Sequence, residues 1–347
     1  MKVTSVRVTD LNAVIVVRLK DGADQISLTT KHVNVGMGDK LPFIAPLFGR
    51  ARIKFVQFLR PFEFKRNVLE NIYLYKQTQK GGKMSLTSLQ VQEWKEKGYT
   101  IVPDFFNNQE ISLMLMELER FKNQGLGKNP ATDGDGKTTS KVKVNYQIIP
   151  LFNQSELFRS LPYVPKVQRA LQQLLGPNVV RFLDQIFLKP AQCGAGTNWH
   201  TDNAYFKTPI ATNGTGMWIA LHDSHQENGT MMVIPKSHLN SYPHVRDMGS
   251  DHHVTCANEI DPAEAEFVIV PAGGCIFFNF GVVHATGDNK TNRERAGLAY
   301  HFATPKAATQ SQWYQTPMGN DLYLICGKED GTGLALADKP VDLSLWK

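Results

Sequence analysis

The pair of residues in this 347-residue chain best suited to chemistry is His200 and Asp202, within TNWHTDNAYF at 197–206. On a β-strand, residues i and i+2 point to one face, so this imidazole and carboxylate could grip one metal ion. A second histidine would give two imidazoles and one carboxylate, leaving the opposite metal positions open. That donor set belongs to non-haem Fe(II) oxygen chemistry. His284 is the expected third ligand. In GVVHATGDN, at 281–289, apolar residues precede it and a polar turn follows, a pattern that predicts a place near a strand end at a barrel mouth. His222 and His225, beside Asp223, are the rivals, but helical i,i+3 geometry does not suit their strand-to-turn setting. His252 and His253 read as loop residues facing solvent or substrate, with His252 the candidate substrate contact.

Eleven residues after His284 lies Arg295, which opens the run RAGLAYHF. An arginine pointing into a barrel must meet an anion, because an unpaired buried charge is strongly destabilising. Its planar guanidinium suits a carboxylate held by two parallel hydrogen bonds. A dicarboxylate that chelates a metal at one end would place its far carboxylate there. Thr286, two residues beyond His284 on the same face, could add a hydroxyl. Arg293 sits earlier, in the polar turn NKTNRER, and is expected to be solvated.

The elements that must position these residues fall into three textures. Residues 1–30 alternate in the manner of short strands, with Asp21-Gly22 as a turn signal. After a Gly/Pro-marked stretch, 61–76 has helical spacing, and Lys80-Gly81-Gly82-Lys83 reads as a joint. Residues 84–100 predict a capped helix stopped at Gly98. A short strand follows at 101–106, then a second amphipathic helix through Phe121, a loop at 125–140 and one helix over 155–175. From Asn178 the chain becomes a series of short strands separated by Gly-, Asn- and Pro-containing turns. Helices followed by strands predict an α+β class built on a jelly-roll core with flanking helices, whose mouth accommodates a ligand. The expected division is 1–83, a small mixed accessory segment, and 84–347, the domain that carries the chemistry. The segments 125–145, 240–260 and 306–330 are the expected specificity loops.

Composition narrows the class. Hydrophobic residues make up 42% and charged residues 20%, ordinary values for a globular protein. No apolar run is long enough to span a bilayer, and the N-terminus lacks the layout of a signal or transit peptide. Four scattered cysteines, with no C-x-x-C pair, predict free thiols in a reducing compartment, hence an intracellular, cytoplasmic protein. The net charge of +6 is uneven: residues 1–83 hold 15 Lys/Arg against 6 Asp/Glu. These basic residues are dispersed and accompany no nucleic-acid motif, so no nucleic-acid partner is expected.

Taken together, WHTDNAYF, GTGMWIALHDS, ENGTMMVIPKSH, the PAGG turn at 271–274 and VVHATGDN followed by Arg295 resemble the phytanoyl-CoA dioxygenase family of Fe(II)/2-oxoglutarate oxygenases. The resemblance covers about 84–305 and leaves 1–83 untouched. It implies a double-stranded β-helix in which His200, Asp202 and His284 are iron ligands, while Arg295 and Thr286 bind the far carboxylate of 2-oxoglutarate. It further implies Trp218 and Gln185 as cosubstrate contacts and Tyr205 as an aromatic beside the metal. The cofactors implied are Fe(II), 2-oxoglutarate and O2. Asp202 stands where halogenating relatives have a small residue, so hydroxylation of a small-molecule C–H bond is the expected reaction, with desaturation or ring closure open on the same ligands. A non-catalytic jelly-roll metal or ligand binder is the alternative, and it has no use for Arg295.

Overall fold

A computed structural model describes the backbone of residues 3–9, 14–19 and 25–29, and then residues 86–246, 254–317, 322–328, 332, 334 and 341–346. The chain forms two compact units, Met1–Tyr75 and Lys76–Lys347. In the first, strands β1 (Val3–Thr9), β2 (Val14–Leu19) and β3 (Gln25–Thr29) form an antiparallel sheet in sequence order. These are the short strands that the alternation at 1–30 predicts. The helix expected at 61–76 lies outside the described residues.

The second unit begins with helix α1 (Ser88–Lys97). Thr87 and Gln90 cap it reciprocally, and Gly98 ends it at φ 90°, a left-handed conformation that glycine adopts without a Cβ clash. Strand β4 (Tyr99–Val102) and helix α2 (Asn108–Asn123) follow. The single helix expected over 155–175 is broken. Glu156–Ser160 forms α3, a 3-10 turn spans Leu161–Tyr163, and α4 restarts at Pro165–Leu175. Pro162 and Pro165 explain the break, since neither has an N–H to continue a helical ladder, whereas each fits a first-turn position.

The jelly roll is built from two facing sheets. The larger contains β6 (Val179–Lys189), β8 (Gly214–Ala220), β13 (Cys275–Asn279), β15 (Arg295–Ala303) and β16 (Tyr323–Cys326). Its order is β16-β6-β15-β8-β13-β4, with β5 (Tyr146–Ile148) also paired to β6. The smaller contains β7 (Thr197–His200), β9 (Met231–Val233), β12 (Glu266–Phe267) and β14 (His284–Thr286), in the order β12-β9-β14-β7. A separate hairpin pairs β10 (His244–Arg246) with β11 (Val254–Cys256).

Period-two alternation assigns each large-sheet strand two tasks. Met217, Ile219, Cys275, Phe277, Ala296, Leu298 and Tyr300 face the helical layer, where they pack with Met114, Leu118, Phe121 and Leu171. The intervening Trp218, Ala220, Ile276, Phe278 and Ala299 face the smaller sheet and meet Met231 and Val233. The helices thus cover one face of the large sheet, and the other face is free to line a cavity.

Candidate active site

Each putting of a ligand-type side chain into that cavity has a local cause. His200 is the last residue of β7, and His284 is the first of β14, opposite it in the antiparallel register. Their ring centroids lie 4.3 Å apart. The expectation that His284 lies near a strand end thus holds with the direction reversed: the apolar Val282-Val283 precedes the strand and is buried in loop. Asp202 departs from the simple strand reading as well. Its backbone is helical, at φ −60° and ψ −32°, and it leads into the turn α5 (Asn203–Phe206). The chain bends after His200, so the turn, not the pleat, brings the carboxylate beside the two imidazoles.

One nitrogen or oxygen atom from each of His200, Asp202 and His284 falls within 4.8 Å of the others. His284 Nε2 is 3.6 Å from Asp202 Oδ1. Both histidines have Nδ1 against the carbonyl two residues earlier, at 2.7 Å from Asn198 O and 3.0 Å from Val282 O. A carbonyl only accepts, so each Nδ1 carries the proton and each Nε2 presents its lone pair to the cluster. This is the usual way in which metal-binding imidazoles are oriented. Burial works against the Asp202 charge, but the imidazoles of His301, His284 and His200 outweigh it and hold the carboxyl below its usual range. The donors therefore fit a divalent metal: two imidazoles whose Nδ1 atoms are taken by backbone carbonyls, leaving Nε2 for the metal, and an ionised carboxylate.

These groups open into a cavity of about 400 Å³. It is also lined by Gln185, Lys189, Trp218, Thr286 and Arg295, so the residues expected to hold a cosubstrate share one space with the ligand cluster. Arg295 is 1% exposed, and its guanidinium donates to the carbonyls of Asn228 and Gly229. It lies 5.6 Å from the Trp218 ring centroid, and burial pulls its pKa down to about 10. Tyr205 lines the cavity with its ring 5.7 Å from that of His200. Burial and the Asp202 carboxylate push its phenol up to about 12, with Arg246 acting the other way. All three expected specificity segments reach the same space, through Pro130 and Asn145, Arg246 and Val254, and Trp313.

The rejected alternatives have structural tasks. His222 Nδ1 accepts from the Ala296 N–H at 3.0 Å, and His225 begins the 3-10 turn at Gln226–Asn228. Arg293 is exposed, as its polar turn predicts. His252 and His253 lie outside the described residues. All four cysteines are free thiols, and no helix among the described residues is long and apolar enough to cross a membrane.

Three residues of the site were not anticipated. His301, on β15, places Nε2 3.1 Å from Asp202 Oδ2 and is 4% exposed. Lys189, at the end of β6, is 1% exposed and donates to Thr286 Oγ1 at 2.8 Å. His244 accepts the Thr201 N–H at 3.0 Å through Nε2, while its Nδ1 meets Tyr242 O at 2.8 Å. It is thus a neutral imidazole that ties the β10–β11 hairpin to the ligand turn. The signal for His301 and Lys189 was present in period two: Arg295, Ala299 and His301 share a face, as do Gln185, Phe187 and Lys189.

The sequence profile described as Phytanoyl-CoA dioxygenase (PhyH) matches residues 94–297, more than half of the chain. The chain belongs to the phytanoyl-CoA dioxygenase family. It is accordingly an enzyme of the dioxygenase class, as its motifs imply. Among its relatives, an ectoine dioxygenase of Stutzerimonas stutzeri is 24% identical over 243 residues, covering 64% of this chain and 78% of that protein. A probable alpha-ketoglutarate-dependent hypophosphite dioxygenase of the same species is 25% identical over 234 residues, covering 63% and 79%. Among solved structures, the non-heme monooxygenase ThoJ in its apo form shares the fold at a TM-score of 0.56 and 22% identity, over 74% of this chain and 92% of that one.

Proposed function

We propose that this member of the phytanoyl-CoA dioxygenase family is an Fe(II)/2-oxoglutarate-dependent oxygenase that hydroxylates an unactivated C–H bond of a small molecule. The observation that carries the reading is the convergence of His200, Asp202 and His284 within 4.8 Å in a cavity that also holds the buried Arg295. Two imidazoles and one carboxylate leave open positions for a chelating keto acid and for O2. Arg295 and Thr286 would take the far carboxylate, with Trp218 and Gln185 as walls. When bound, iron and 2-oxoglutarate together supply the oxidising chemistry.

The protein's own part is orientation and exclusion of water. His200 and His284 present fixed lone pairs, and Asp202 remains ionised. Tyr205, Phe206 and Trp313 bound the space in which the substrate C–H must lie. The substrate reading is a small molecule that bears a carboxylate or similar anion. Arg246 supports it, since this exposed residue lines the cavity near Tyr205 with no acidic partner among the described residues. Free thiols fit a reducing, cytoplasmic setting. The catalytic part is read as beginning at Met84, which a chain starting there would test by retaining turnover. Coupled release of succinate, screened over a panel of small acids with Fe(II) and O2, tests the reaction class. No succinate above background with any acid, and none without one, would contradict it.

A further inference from the structure

Lys189 and Arg295 are register partners across the β6–β15 ladder. Both are 1% exposed and both line the cavity. Neither has an ion-pair partner among the described residues. Arg295 donates to backbone carbonyls, and Lys189 donates to Thr286 Oγ1 and to the Gly287 carbonyl. Burial and the neighbouring Arg295 push the Lys189 pKa well down from its usual value, while the Asp288 carboxylate, whose Oδ1 is occupied by the Gly196 N–H at 2.7 Å, works the other way. Two buried cations side by side repel each other as well as lacking hydration, an arrangement that calls for an anion.

The hydrogen-bond directions add a second constraint. An ammonium donates and never accepts, so Thr286 Oγ1 must be the acceptor in its 2.8 Å contact with Lys189. That leaves the Thr286 O–H proton to donate elsewhere. Its protein alternative is Thr197 Oγ1 at 3.1 Å, an oxygen that already accepts the Thr286 N–H at 2.9 Å. A carboxylate beside Arg295 is the stronger acceptor for that proton, because charge-assisted hydrogen bonds exceed neutral ones.

We propose that Lys189 is a positioning residue for the far carboxylate of the cosubstrate, acting through Thr286 by turning its hydroxyl toward that carboxylate while adding a second positive charge. This rests on the 2-oxoglutarate reading of the site. It makes the cavity selective for dicarboxylic over monocarboxylic keto acids by more than Arg295 alone provides.

The test is equilibrium binding, by calorimetry, of 2-oxoglutarate and of pyruvate to protein loaded with Mn(II) in place of iron. Pyruvate has the chelating keto acid but no far carboxylate. Lys189→Met is expected to weaken 2-oxoglutarate binding by about tenfold or more, the scale of one lost charge-assisted contact, and to leave pyruvate binding unchanged. Lys189→Arg, which keeps the charge, is expected to restore most of the loss. Combining Lys189→Met with Thr286→Val should cost less than the sum of the single changes, because one acts through the other. Unchanged 2-oxoglutarate affinity in Lys189→Met, an equal loss for pyruvate, or simple additivity would overturn the proposal. If Lys189→Met does not fold, Lys189→Gln takes its place under the same criteria. Wild-type protein that binds pyruvate and 2-oxoglutarate equally would overturn the cosubstrate reading itself, and this proposal with it.

Discussion

His301 Nε2 stands 3.1 Å from Asp202 Oδ2, on the side of the carboxylate away from its 3.6 Å approach to His284. β15 thereby brings an imidazole to ion-pair distance of one oxygen of Asp202, an atom with no hydrogen-bond partner among the described residues, and the other oxygen is left toward the ligand cluster. The strand that carries Arg295 therefore also carries the imidazole that faces the carboxylate. His301→Ala is expected to lower divalent-metal affinity by about 10–100-fold, the usual effect of removing a partner that orients a ligand. A Co(II) titration measures this, and undiminished affinity would show that Asp202 needs no such support.

In the proposed reading Arg295 serves the cosubstrate and not the metal. Arg295→Ala should raise the KM for 2-oxoglutarate by about tenfold or more, since a buried charge-assisted pair is lost. Co(II) binding by the same variant should stay near the wild-type value. A KM that does not move would shift attention to the exposed Arg293.

Gly297 tests how closely the cavity wall is built. A Cβ placed there would collide with Trp218 Nε1, well inside van der Waals contact. Gly297→Ala must displace the indole, and we expect a loss of about 1–3 kcal/mol in stability from overpacking. Chemical denaturation reads this directly. A fully stable variant would mean that Trp218 can move aside at no cost.

Arg246 separates substrate from cosubstrate. Arg246→Glu should weaken turnover of carboxylate-bearing substrates through KM, with the KM for 2-oxoglutarate unaffected. Equal performance on anionic and neutral substrates in the wild-type chain would remove the reason for assigning Arg246 that task.

The legible part of the site was whatever local spacing encodes. His200-x-Asp202, the apolar-to-polar change around His284, and Arg295 at the head of RAGLAYHF could all be read in the chain, as could the Thr87 cap and the Gly98 stop of α1. What escaped depends on which strands become neighbours. Lys189 and Arg295 are more than a hundred residues apart in sequence, and only the β6–β15 register makes them a pair. His301 acquires a task because β15 runs beneath the turn that carries Asp202. The strand reading of His200 and Asp202 gave the right convergence by the wrong geometry, since the bend at Thr201 is held in part by His244 from a distant hairpin. The helix expected through 155–175 failed for a local reason: its apolar period continues across Pro162 and Pro165, where the backbone cannot.

Formation of succinate from 2-oxoglutarate in the presence of Fe(II) and O2, measured on the wild-type chain and on Asp202→Ala, tests the iron-ligand assignment most directly. The expected result is metal-dependent succinate release by the wild type, and background release by an Asp202→Ala chain of unchanged fold. Release from Asp202→Ala at the wild-type rate would contradict it.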